Sequence, residues 1–170
     1  MHEMTKNDSA MYYEKAAWHG LGRIVEDATS PAEALEYSGL DWEVYKARVM
    51  VSGIMSDDYC GVVRDDIKKI IGVVSPSYKT VQNWEAFDIA KSFGSDVVVE
   101  SAGSVQDGRK AYLLLRGDSF DAHYGADEVC KYMALMWSHD GTQALTVLPT
   151  SVRVVCERCG QALQGARCLL

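Results

Sequence analysis

The run from Lys131 to Cys156, KYMALMWSHDGTQALTVLPTSVRVVC, limits the fold more than any other stretch, because its length and pattern suit only paired, buried β structure. Tyr132, Ala134 and Met136 alternate with Met133, Leu135 and Trp137, and Asp140-Gly141 then supplies the positive-φ pair that a tight hairpin turn favours. Two strands are therefore expected to fold back on each other here. Pro149 has no N–H to donate, so it is expected to interrupt the ladder before Val152 to Cys156 resumes as a further short strand.

The same pattern repeats upstream. Val97 to Val105 and Lys110 to Arg116 read as a hairpin closed by a two-residue turn at Asp107-Gly108, with Gly103 marking a bulge. Tyr59 to Val63 and Ile70 to Val74 read as strands joined by the charged segment Arg64 to Lys69. Trp42 to Val51 does not alternate cleanly, which predicts a bulge or an edge position. Gly117 to Val129 is polar and reads as a surface loop.

Two helices complete the pattern. Ser30 is the expected N-cap of a short one, with Pro31 at its first position, Glu33 closing a capping box, Ala34, Leu35 and Tyr37 turned inward, and Gly39 as a left-handed stop. Asn83 is the expected N-cap of the main helix, which runs to Phe93 with Trp84, Phe87, Ala90 and Phe93 as its buried stripe and Gly94 as its stop. The fold predicted is α+β: a mostly antiparallel sheet of sequential hairpins, covered by one main helix and one short N-terminal helix.

At 170 residues the chain suits a single domain, expected over residues 11–156, between a disordered segment at 1–10 and a tail at 157–170 that reads as a truncated helical extension. No run approaches the roughly 18 apolar residues of a membrane span, and the first residues lack the order of a secretory signal, so a cytoplasmic location in a bacterial host is expected. In that reducing setting Cys60, Cys130, Cys156, Cys159 and Cys168 read as thiols or metal ligands rather than disulfides.

The net charge of −7 lies wholly in the first part of the chain: up to Asp66 there are 6 Lys and Arg against 13 Asp and Glu, and from Ile67 onward 11 against 11. This excludes a bulk-basic nucleic-acid protein but leaves room for a local basic face.

Few residues suggest chemistry. His19, between Trp18 and Gly20, could face a ligand, but nothing nearby completes a catalytic set, so a buried structural histidine is the preferred reading. Cys156-x-x-Cys159 with Cys168, and His139 or Cys130 as a fourth ligand, is a weak zinc pattern, since strong zinc signatures carry two such pairs. A nucleophilic Cys156 activated by His139 and Asp140 is weaker still, because Asp140 is already explained as a turn residue. No phosphate-cradling loop, dinucleotide fingerprint or paired-carboxylate set is present, so neither a catalytic residue nor a cofactor is expected.

Several pieces resemble one family. Trp18-His19-Gly20-Leu21-Gly22, Gly39-Leu40-Asp41-Trp42, Gly72-Val73-Val74-Ser75 through Tyr78, Gln82-Asn83, Phe87, Ala102-Gly103-Ser104, Ser138-His139-Asp140-Gly141 and Val152 to Cys156 look like a phage- and plasmid-borne family catalogued among domains of unknown function under the number nine hundred and thirty-two. The resemblance is to that family's N-terminal half and runs from about Met11 to Cys156. It implies a mobile-element origin and no established reaction. It also implies that members continue into a helical half, often through an Asn-Thr pair where this chain has Arg158-Cys159, so a short form or a fragment is expected.

Two functions of different class follow. The first is a non-catalytic, single-stranded nucleic-acid-binding module for replication or recombination of a mobile element, with Lys68, Lys69, Tyr78, Lys79, Arg109, Lys110, Lys131 and Arg153 supplying cations and a stacking aromatic. Assembly into a homo-oligomer would align several such patches along one strand. The second is a host-directed protein-interaction factor, such as an inhibitor of a defence system, using its acidic N-terminal part as a contact face; an exposed apolar patch rimmed by acid would favour it.

Overall fold

The computed structural model describes residues 5–13, 22–27, 30–117, 122–124 and 127–153, with the backbone alone described for 122–124, 127–131 and 151–153. The order is β1 (Ala10–Tyr13), β2 (Arg23–Val25), α1 (Pro31–Tyr37), β3 (Val44–Val51), β4 (Ile54–Arg64) and β5 (Lys69–Val74). There follow α2 (Asn83–Lys91), β6 (Val98–Val105), β7 (Lys110–Arg116), β8 (Ala122–Tyr124), β9 (Asp127–Ser138) and β10 (Thr146–Arg153). The fold is α+β, as the hairpin signals predict. A large sheet has the order β10-β9-β7-β6-β1-β2, with β8 paired to β9, and a second sheet has the order β3-β4-β5. Every pairing is antiparallel except that of β1 with β2.

Strict alternation builds the centre of the large sheet. Ala111, Leu113 and Leu115 of β7 are buried while their neighbours are half-covered. They stand opposite Trp137, Leu135 and Met133 of β9, so the small alanine leaves room for the large indole. Across this face lies α2, whose buried side is Asn83, Ala86, Phe87 and Ala90. Phe87 meets Trp137 nearly edge-on, with ring centroids 6.5 Å apart. Fully burying one of these leucines contributes about 2 kcal/mol.

The capping box of α1 forms as the sequence predicts: Glu33 N–H donates to Ser30 Oγ, and the Glu33 carboxylate accepts from Ser30 N–H. Gly39 follows with φ +65°. The main helix differs from expectation. Its N-cap is Gln82, whose backbone N–H donates to the Glu85 carboxylate, and Asn83 is instead drawn into the interior. Trp84 is 46% exposed, because a strict spacing of three drifts off a face that recurs every 3.6 residues.

The turns are longer than the dipeptides suggest. The β6–β7 connection spans residues 106–109, with Gln106, Asp107 and Gly108 all at positive φ. The β9–β10 connection spans residues 139–145, Gly141 at φ +81° and the Asp140 carboxylate accepting from Thr142 N–H and Oγ1–H. Pro149 breaks nothing: β10 runs through it opposite Met133, and β10 lies at the end of the described sheet order, where a proline is tolerated. The ladder shift in β6 lies between Val99 and Ser101 rather than at Gly103. A Cβ on Gly103 would stand 2.7 Å from Ser9 O, so that glycine admits β1.

Two further differences concern segments read as irregular. Ala122–Tyr124, inside the expected surface loop, forms β8. Thr5 to Ser9, inside the segment expected to be disordered, are tied to the β6–β7 turn: the Asp8 carboxylate accepts from Asp107 N–H, Gly108 N–H and Ser104 Oγ–H, and Ser9 O accepts from Ser104 N–H.

Candidate functional site

Where the two sheets meet, a buried polar cluster fixes their relation. Asn83 is its hub: its Nδ2 donates to Leu40 O (3.0 Å) and Trp42 O (3.3 Å), and its Oδ1 accepts from Trp137 Nε1–H at 3.1 Å. His139 Nε2 lies 3.0 Å from the same oxygen. Because Asn83 spends both donors on carbonyls, Nε2 must carry the imidazole proton. Nδ1 has no hydrogen-bond partner among the described residues. Burial pushes His139 down to about 4; the Asp140 carboxylate opposes this, the Arg64 guanidinium adds to it, and the nearby Val81 backbone opposes it without meeting hydrogen-bond geometry. His139 is therefore neutral at neutral pH.

Arg64, on β4, closes the junction from the small sheet. It lies 4.2 Å from the centroid of Trp42, whose edge meets His139 with centroids 5.2 Å apart. Its head pairs with Asp66 and donates to Asn7 O and Asp107 O. Gly72 of β5 lies against the turn after β9, where a Cβ would stand 2.5 Å from Asp140 Cα.

Beside this junction a groove of about 260 Å³ is lined by Ile70, Ile71, Gly72, Val73, Arg109 and Asp140. Of the residues expected to contact nucleic acid, Arg109 lines it, whereas Lys69, Lys110 and Tyr78 are engaged by other groups. Lys69 pairs with Asp107, whose carboxyl is held well below the usual range by hydrogen bonds from Lys69 and Thr5. Lys110 acts on Asp140; burial raises that carboxyl, but hydrogen bonds from Thr142 and Ser138 together with Lys110 outweigh it and leave it low. Tyr78 Oη–H donates to Ser138 O, and burial followed by the Asp140 charge raises its hydroxyl above the ordinary value. Arg109 is exposed at the groove.

Lys68 sits in the β4–β5 turn over the Tyr45 ring, and Lys79 is exposed beyond β5. Lys131 and Arg153 stand opposite Ser151 and Val129 on β9 and β10, their side chains outside the described residues. His19, Cys156, Cys159 and Cys168 also lie outside them, as do the Trp18–Leu21 motif and the side chain of Cys130. Among the described residues no cluster of His, Cys, Asp and Glu could hold a metal, and no helix is long and apolar enough to cross a membrane.

The largest uncompensated feature is apolar. Among the described residues thirteen large hydrophobic side chains stand exposed, and eight of them belong to β3, β4 and β5. The register places Tyr45, Val49, Tyr59, Val63, Ile70 and Val73 on the face turned away from the core, with Val51 and Ile54 toward the β3–β4 tip. A Cβ on Gly61 would meet both Ile70 and Val49, which puts all three on that face. Tyr59 is 57% exposed, Ile70 53% and Val73 55%.

Sequence reading missed this surface, although a signal was present. Tyr59 to Val63 and Ile70 to Val74 are apolar without alternation, which marks strands covered on both faces, and the described residues cover only one face. The β3–β4 turn at Ser52-Gly53 was missed too; both residues have positive φ, as a two-residue hairpin requires.

A family model described as a domain of unknown function (DUF932) matches residues 70–163, the C-terminal part of the chain. The match begins beyond Gly39-Leu40-Asp41-Trp42 and continues past Cys156, so it is narrower at one end and longer at the other than the motifs suggest. No curated protein and no solved structure matches.

Proposed function

More than half of its length being matched, the chain belongs to the DUF932 family, and on that premise we propose that it is a non-catalytic, mobile-element-borne module that docks a host protein. The observation that supports this is the outer face of the β3-β4-β5 sheet. Its exposed side chains, the aliphatic Ile70 and Val73 beside Tyr45 and Tyr59, give the mixed apolar and aromatic area that protein contacts use. Asp57 and Asp58 stand exposed beside it on β4.

The test is capture from host lysate with and without nuclease. Docking predicts a nuclease-insensitive protein, lost on Tyr59→Ser with Ile70→Ser at an unchanged melting temperature. Capture abolished by nuclease would overturn it.

A second reading, single-stranded nucleic-acid binding, rests on Arg109, which is exposed and lines the groove, with Lys110 next to it in the chain. It requires affinity to fall with salt, by about 0.7 in the logarithm per neutralised phosphate, and Arg109→Ala with Lys110→Ala to flatten that slope. Fluorescence anisotropy with a labelled oligonucleotide measures both.

A further inference from the structure

Resting on the protein-docking reading, the backbone of β3 indicates how a partner engages and what its chemistry is. Val44 N–H donates to Gln82 Oε1 (3.0 Å) and Gln82 Nε2 donates to Val44 O (2.8 Å), so both backbone groups of Val44 point away from β4. In an antiparallel pair such residues alternate, which turns the N–H and C=O of Lys46 and Arg48 outward as well, up to the register shift between Arg48 and Met50. Gln82 thus stands in for a neighbouring strand at one residue only. Beyond it β3 is terminal in its sheet, and no described residue pairs with its outer edge.

The two faces of this edge differ in chemistry. Tyr45 and Val49 point to the apolar outer face, whereas Lys46 and Arg48 point to the other. Lys46 Nζ is committed to Pro76 O and Tyr78 O. Arg48 is exposed and makes no ion pair among the described residues.

We infer that β3 accepts an extended segment of a partner protein as an added strand, one that alternates apolar with acidic residues. Its apolar side chains extend the outer face beside Tyr45 and Val49, and its carboxylates stand opposite Arg48. A second copy of this chain fits poorly, since β3 against β3 would bring Lys46 and Arg48 into like-charged cross-strand contact.

The probe is a short labelled peptide alternating valine and glutamate, with a valine–lysine peptide as control. The full chain should bind the first and not the second. Arg48→Glu should reverse the preference. Arg48→Pro removes one outward N–H without touching the β4 ladder, and should weaken binding by about tenfold or more with the melting temperature retained. If the proline variant does not fold, Arg48→Glu alone decides.

Equal binding of both peptides, no binding of the glutamate peptide, or full binding by a folded Arg48→Pro overturns the inference. A concentration-dependent dimer dissolved by Arg48→Pro overturns it too, and assigns the edge to a second copy. Lysate capture separates the two levels: loss on Tyr59→Ser with Ile70→Ser but not on Arg48→Pro sinks the added strand and leaves the docking face, whereas loss on neither sinks the docking face as well.

Discussion

Lowering the pH from 7 to 5 should destabilise this protein through His139 more than through any carboxylate. In the folded chain the imidazole is buried and neutral, with Nε2–H given to Asn83 and the Arg64 guanidinium held nearby through Trp42. Facing it are Arg64 from β4, Asp140 from its own turn and the uncharged Asn83 and Val81 beside α2. Its folded value is about 4 against an ordinary 6.5. Between those values the unfolded chain binds a proton that the folded chain refuses, so stability is intact above pH 6.5 and falls as pH drops toward 4. The loss is about 2 kcal/mol at pH 5 and approaches about 3 kcal/mol near pH 4.

Asp107 and Asp140 are shifted below the ordinary carboxylate value, so their contributions fade at lower pH, outside this window. Urea unfolding followed by tryptophan fluorescence at pH 7 and pH 5 reads the difference. His139→Gln keeps a donor toward Asn83 and removes the titration, so the variant should be weaker at pH 7 yet lose much less on going to pH 5. Histidines titrating alike in folded and unfolded chains cancel in that comparison. An equal decline in both proteins would refute the assignment.

Asn83→Ala should cost about 3 kcal/mol or more in chemical denaturation, because it leaves the Trp137 and His139 N–H groups and two buried carbonyls unpaired at once. Gly141→Val should cost more than about 1 kcal/mol, since a β-branched residue resists φ +81° and its Cβ would stand 3.2 Å from Val74 Cγ1; an unchanged melting temperature would dismiss the turn geometry. Asp107→Ala removes the acceptor of Thr5, Asn7 and Lys69, so amide exchange at Asn7 and Asp8 should accelerate while β6 and β7 stay protected.

The hairpins were legible because each rests on a local signal. Asp107-Gly108 and Asp140-Gly141 do mark reversals, and β7 alternates without a fault, so the hairpins and the fold class follow from neighbouring residues, whereas the pairing of β1 with β6 and the division into two sheets do not. The lengths of those reversals were not legible. Asp8 reaches across from the N-terminus to hold the β6–β7 turn, and no local pattern announces a partner about a hundred residues away. Asn83 was misread for the same reason: it has the chemistry of an N-cap, but tertiary partners at Leu40, Trp42, Trp137 and His139 take it inward. The nucleic-acid candidates were chosen by charge alone, and sequence could not disclose that Lys69 is paired with Asp107 or that Tyr78 Oη is given to Ser138.

The junction and the candidate surface are two sides of one strand pair. Along β4, Arg64 and Val62 point inward while Val63 points to the outer face; Val63 is only 6% exposed because its neighbours shelter it, whereas Tyr59 on the same face is open. Val63 therefore contributes to this chain's own stability, and Tyr59, Ile70 and Val73 gain little from folding because about half of each stays in water. Their area is released only when something covers it. Arg64, Trp42, His139 and Asn83 tie the inner face to the large sheet, so a partner of the kind proposed would meet the outer face and the β3 edge already in place, and its binding would not bear the cost of ordering them.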